Sequence, residues 1–166
     1  YKILGIHLRG TSYKNAPKHP FPIPLELAKN ICEKLINQKK FEKIFIITEE
    51  KKYLDEFKTI FGNKLIYFNS FRSNFNDAFE IYPRKLHRYK LGLEILIETL
   101  ILSKCDGIIS NMTNVSSAGI FLSIKKNKIF NIFLGYNSPN KFIASFLWYL
   151  KKSLPRNFFG FSDKIS

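Results

Sequence analysis

The run Gly5-Ile6-His7-Leu8-Arg9-Gly10-Thr11 sets an imidazole and a guanidinium two positions apart at the end of an apolar stretch. On an extended backbone, residues i and i+2 share a face, so His7 and Arg9 should point the same way. The planar fork of Arg9 suits a phosphate, and Gly10 would let a ligand approach the backbone, with Thr11 beside it. This is not a glycine-rich phosphate loop, so anion binding here would lean on side chains. A second polar turn reads Asn111-Met112-Thr113-Asn114-Val115-Ser116-Ser117. A helix starting there would offer free amides and partial positive charge to a diphosphate, helped by Asn111, Thr113, Asn114, Ser116 and Ser117.

Three further clusters carry chemistry. Thr48-Glu49-Glu50 ends an apolar run, where acids either bond a ribose or base or complement a helix N-terminus. Glu94 and Glu98 stand one helical turn apart among leucines and isoleucines, so each is either solvated or held by a basic partner. Arg84, His87 and Arg88 are placed to reach an anionic ligand. No Ser/His/Asp triad, zinc-ligand spacing or paired-carboxylate motif stands out.

Short β-rich runs alternate with longer amphipathic stretches. This predicts an α/β fold, a Rossmann-like three-layer domain around a central parallel sheet of about five strands. The strands are predicted at Ile3 to Leu8, Lys43 to Thr48, Lys64 to Phe68, Asp106 to Ser110 and Lys128 to Leu134. The helices are predicted from Pro24 to Ile36, after a Thr48 cap to Gly62, from Leu86 to Lys104, from Thr113 or Asn114 to Ile124, and from Pro139 to Ser153. Residues 69–85, rich in Ser, Asn and Phe, form a long irregular segment of the kind that is functional or mobile. In a doubly wound sheet the first strand is central and the fourth lies on its far side, so both polar turns would face one crevice. The domain is expected over residues 1–154, with 155–166 as a tail.

The 166 residues suffice for one core, and 45% hydrophobic and 16% aromatic content excludes a disordered chain. No apolar run reaches spanning length, and the first residues read as a strand rather than a secretory leader. Cys32 and Cys105 sit in apolar stretches and are expected to be buried free thiols of a reducing compartment. Cytoplasmic placement follows, and it would leave the Asn111-Met112-Thr113 acceptor pattern unglycosylated. The formal charge of +14 fits an AT-rich codon bias or attraction to an anion: a nucleotide diphosphate, an anionic lipid surface or nucleic acid. Nucleic acid is not expected, since no helix-turn-helix, zinc or interleaved aromatic-basic motif accompanies the charge. Residues 142–152, apolar and ending in Lys151-Lys152, either pack on the sheet or lie on an anionic leaflet as a peripheral contact.

Gly5-Ile6-His7-Leu8-Arg9-Gly10-Thr11 resembles the His-x-Arg motif of the fucosyltransferase superfamily, which includes bacterial Nod-factor, α1,6-, α1,2- and protein O-fucosyltransferases. Ile44 to Glu50 is similar to that family's strand ending in Thr followed by acids. Leu91 to Asp106, followed by Thr113-Asn114-Val115-Ser116, is similar to its last motif. The resemblance covers nearly the whole chain in order, and its specificity lies in the set of motifs. It implies the carboxyl-terminal, donor-binding half of a GT-B glycosyltransferase, with an amino-terminal acceptor domain outside this chain. It also implies GDP-fucose as donor, a glycan or lipid-linked acceptor, inversion at the anomeric carbon, and no metal or other cofactor. On the same basis Arg9 would hold the β-phosphate and His7 would support the donor. Glu49 and Glu50 would serve the nucleoside, Thr113, Asn114 and Ser116 the diphosphate, and Glu98 would lie near the donor. Many members read Arg-Arg-Thr-Asp-Lys where this chain has Arg9-Gly10-Thr11-Ser12-Tyr13, so the acceptor's general base is expected elsewhere. The alternative reading is a non-catalytic nucleotide-binding module.

Overall fold

A computed structural model describes residues 1–75, 80–155 and 157–161, without the side chains of residues 11 and 12. Five strands, β1 (Ile3–Leu8), β2 (Lys43–Thr48), β3 (Leu65–Tyr67), β4 (Gly107–Ser110) and β5 (Lys128–Asn131), form one sheet in the order β3-β2-β1-β4-β5. All neighbouring pairs are parallel, and β1 lies between β2 and β4. The helices are α1 (Leu25–Asn37), α2 (Lys51–Phe61), α3 (His87–Leu102), α4 (Asn114–Phe121) and α5 (Lys141–Ser153). This is the expected Rossmann-like α/β fold, with the helical layers on both faces of the sheet.

Side-chain alternation assigns the two faces. Leu4, Ile6 and Leu8 of β1 join Ile44 and Ile46 of β2 against the apolar stripes of α1 and α2. Ile3, Phe45, Ile47 and Ile108 face the other way, against Leu102 and Ile95 of α3 and Val115 of α4. The central strands are apolar on both faces because both are covered. On the α3 side there is little clearance. A Cβ on Gly5 would lie 2.3 Å from Leu102 Cδ1, and one on Gly119 would lie 2.9 Å from Leu102 Cδ2. These two glycines let α3 and α4 settle closely over β1, which brings the charged residues of α3 to the ends of β1 and β2.

Most element boundaries shift by one to three residues, and those at α2, α4 and β5 differ in an instructive way. Thr48 does not cap α2. Glu50 holds the cap position, and Thr48 Oγ1 instead accepts the Glu50 N–H at 3.2 Å in a local turn. A hydroxyl two residues before an amide readily closes such a turn, in competition with helix capping. Helix α4 ends at Phe121 and β5 at Asn131, both shorter than the apolar runs suggested. At the other end of α2, Gly62 stops the helix at φ +48, as its lack of Cβ allows.

Helix α5 packs on the turn after β1 and on the segment that precedes α1. Its Trp148 indole donates to the Pro22 carbonyl at 2.9 Å, and the Lys14 ammonium lies between the Tyr53 and Trp148 rings. In the described part of the tail, Phe161 rests against Phe21 and Trp148, so the chain folds back on the domain. Both cysteines are buried and free, and burial pushes the Cys105 thiol up to about 12.

Candidate functional site

The carboxyl ends of β1 and β2 open into a cavity of about 390 Å³, whose far wall is α3 and whose rim is the segment after β3. That volume is in the range of roughly 300–1,000 Å³ common for small-molecule sites. Its apolar wall is Ile47, Phe71, Leu91 and Ile95, and its polar groups include His7, Arg9, Glu49, Ser70, Glu94 and Glu98.

His7 and Arg9 do share a face, and both line this cavity. The His7 ring is buried, and its Nδ1 is 2.8 Å from Thr113 Oγ1. Burial, with the Arg9 charge adding to it, depresses the imidazole to about 3. At neutral pH His7 is therefore an uncharged hydrogen-bonding group, which joins the end of β1 to the start of α4. Thr113 is the N-cap of α4, and its Oγ1 accepts the Ser116 N–H at 3.2 Å while its carbonyl accepts the Ser117 N–H. Ser116 is fully buried and donates back to the Thr113 carbonyl at 3.0 Å. Among the described residues, no acceptor meets the first-turn amides of Asn114 and Val115, which point out of the helix end. Asn114 and Ser117 are exposed there, whereas Asn111 is buried, with its Oδ1 unpartnered among the described residues. Replacing Thr113 with Ala should cost about 1 kcal/mol in urea denaturation through loss of the cap, while Thr113→Ser should restore it.

Arg9 is held on two sides. Its Nε lies 3.5 Å from Glu49 Oε1, and its guanidinium carbon sits 4.4 Å above the Tyr13 ring. Glu49 Oε1 also accepts the Gly10 N–H at 3.1 Å. Glu49 thus lines the cavity while fixing the turn that carries Arg9. Glu50 turns away from it and pairs with Lys14 at 2.7 Å. The missing side chain of Gly10 serves that pair, because a Cβ would fall 1.6 Å from Glu50 Oε1. The clearance at Gly10 is occupied by Glu50, and neither residue lines the cavity. The side chain of Thr11, also expected at the ligand, lies outside the described residues. Thr48 is buried at the cavity edge, with its hydroxyl engaged by Glu50.

Both glutamates of α3 face inward, and each has found a basic partner. Arg84 grips Glu94 through two bonds of 2.6 and 2.7 Å, and Glu94 also accepts the Phe71 N–H at 3.2 Å. The Arg84 hydrogen bonds hold the Glu94 carboxyl below its usual range. Glu98 is 3% exposed; its Oε1 accepts from the Ser70 hydroxyl at 2.7 Å and from Arg72 Nη2 at 3.3 Å. Burial outweighs these contacts and raises the Glu98 carboxyl to about 7. Among the described residues both contacts fall on one oxygen, which leaves Oε2 as the acceptor that this carboxylate can offer a ligand.

Of the three basic residues expected to reach an anion, only Arg88 lines the cavity. Arg84 is engaged by Glu94, and His87 is buried edge-on against Phe71. Residues 69–85 read from sequence as functional or mobile, with no role given to Ser70, Phe71 or Arg72. Arg72 reaches the Phe68 and Ser70 carbonyls as well as Glu98 and so shapes the rim. The available signal was Glu98 itself, an acid on an apolar helix that required a cation.

No family model matches the chain, and no curated protein matches it. Among solved structures, it is similar to NodZ α1,6-fucosyltransferase co-crystallised with GDP, with TM-score 0.48 and 18% identity over 79% of this chain and 38% of that one. Fucosyltransferase NodZ from Bradyrhizobium gives TM-score 0.48 and 19% identity over 78% of this chain and 37% of that one. The Se-Met form of NodZ from Bradyrhizobium gives 0.49 and 18% over 80% and 38%. The chain spans less than two fifths of the length of the enzymes it resembles.

Proposed function

We propose that this chain is the donor-binding half of an inverting, metal-independent glycosyltransferase that uses a GDP-sugar. GDP-fucose is the donor that the sequence resemblance implies. A glycan or lipid-linked acceptor in bacterial cell-surface polysaccharide or glycolipid synthesis completes the reading. The observation that carries it is the position of His7, which lines the cavity and also bonds the N-cap of α4. A nucleoside in the cavity would thereby have its diphosphate led past Arg9 toward the amides of Asn114 and Val115. The site lies outside the carboxyl ends of parallel strands, beside the reversal of strand order at β1, where open α/β sheets place their ligands.

The chemistry asked of these residues is mostly electrostatic. An acceptor hydroxyl oxygen attacks the anomeric carbon as the bond to the β-phosphate oxygen breaks, and that electron pair leaves with the diphosphate. The acceptor's proton passes to a base that no residue of this chain is assigned to supply. Charge on the diphosphate grows as the bond breaks, so a guanidinium and helix amides fixed there favour the transition state over the bound donor. In the cavity, Glu98 Oε2 would accept an N–H of the base. Guanine presents adjacent N–H donors on one edge, whereas uracil offers a single imide N–H and adenine an amino group beside an acceptor.

Calorimetric titration with GDP, UDP and ADP tests this reading directly. GDP is expected to bind tightest, by about 10-fold or more if a charged hydrogen bond to the base is at stake. Preference for UDP would keep the site and remove the guanine donor; no binding of any of the three would end the proposal.

A further inference from the structure

The outward face of α5 is unlike that of an ordinary surface helix. Ala144 and Trp148 are buried against the domain, yet Phe142 is 86% exposed, Phe146 52%, Tyr149 46% and Leu150 48%. At about 100° per residue these four fall in one arc opposite Ala144 and Trp148. A helix docked on a globular domain normally turns polar residues to water there. Exposed Lys141 and Lys152 border this arc along one side, at the two ends of the helix, and the helix contains no acidic residue. At its last turn Lys151 donates to the Phe159 carbonyl at 2.8 Å, holding a turn that presents Phe158 at 75% and Phe159 at 80% exposure.

We propose that the outward arc of α5 is a docking surface for an anionic lipid leaflet. The helix lies in the plane of the interface, with Phe142, Phe146, Tyr149 and Leu150 among the upper acyl segments and the lysines at the phosphate level. Charge complementarity selects this occupant: an apolar arc bordered by lysines on a chain of net charge +14 attracts an anionic surface and repels a second copy of itself. Among the described residues no helix is long and apolar enough to cross a membrane, so the contact is planar. None of the arc residues lines the nucleotide cavity, so docking leaves that cavity open to a soluble donor.

The test is co-sedimentation of the whole chain with phosphatidylcholine vesicles, with and without phosphatidylglycerol, beside the double variant Phe142→Ser/Phe146→Ser. Both replaced side chains are more than half exposed, and circular dichroism and the thermal midpoint verify that the fold persists. The expected result is binding to the phosphatidylglycerol vesicles alone, weakened by salt, with the double variant bound about 10-fold more weakly or worse. Equal binding by the variant would overturn the proposal, since bulk charge would then suffice. Absence of wild-type binding would also overturn it, as would self-association that the double variant abolishes while vesicle binding persists.

Discussion

Arg9→Ala in the complete enzyme is expected to cut turnover about 10²–10³-fold, the range for losing one preorganised transition-state stabiliser. The size of this effect follows from how the side chain is held. Glu49 at 3.5 Å and the Tyr13 ring at 4.4 Å restrain the guanidinium before any ligand arrives. Its orientation is thus set during folding, and in the proposed reaction a fixed charge would need little reorganisation as the diphosphate departs. Lysine should rescue only part of the loss, because an ammonium cannot reproduce the planar fork. Single-turnover kinetics at saturating donor would isolate the chemical step, with circular dichroism to confirm the fold. Turnover near that of the unmodified enzyme would remove Arg9 from its assigned role.

The second large effect is expected at Glu98. Its carboxyl is raised to about 7 by burial, against the opposing pull of Ser70 and Arg72. Two opposite pH trends follow. A carboxyl that holds its proton more tightly when folded favours the folded state below its ordinary range. That contribution is lost as pH rises through the ordinary range to about 7 and is flat above it. Donor binding should run the other way, because the ionised carboxylate accepts the base N–H more strongly than the protonated acid does, so GDP affinity should rise between pH 6 and pH 8. Glu98→Gln keeps the shape but replaces an anion, and it should lower GDP affinity about 10–100-fold at pH 8, the worth of a charge-assisted hydrogen bond. It should also abolish both pH trends. Titrations at the two pH values, for wild type and variant, would show this. A pH-independent wild-type affinity would show that Glu98 acts only as the partner of Arg72.

The contrast with Glu94 makes this specific. One turn away, Glu94 has a bidentate partner and is held ionised. Glu98 has a hydroxyl and a longer contact to Arg72, in a more buried place. Spacing shows that the two acids share a helix face, but it does not say which would stay charged. That depends on residues 70–72 and 84, which reach α3 from a segment without periodicity.

Much of the frame was legible in the chain itself. The continuous apolar runs at Ile3 to Leu8 and Lys43 to Thr48 match β1 and β2, because strands buried on both faces leave an unambiguous pattern. The paired orientation of His7 and Arg9 is a consequence of strand alternation and needs no tertiary information. Thr113 as the cap of α4 and Gly62 as the stop of α2 follow from hydroxyl capping and from the missing Cβ.

The less legible features depend on which distant groups come within bonding reach. Glu49 and Glu50 are adjacent and alike in sequence, yet one steadies Arg9 at the cavity while the other crosses to Lys14. Strand alternation sends neighbours to opposite faces, and only the packed turn at residues 10–14 shows what waits on each. Gly10 was read as clearance for a ligand because a glycine in a turn reveals that space is needed, not what fills it. Residue types and local periodicity thus determined the elements, their order and the face of each strand. Tertiary packing alone decided the ion-pair partners, the protonation of Glu98 and the role of each acid, because burial and charge proximity are set by segments far apart in the chain.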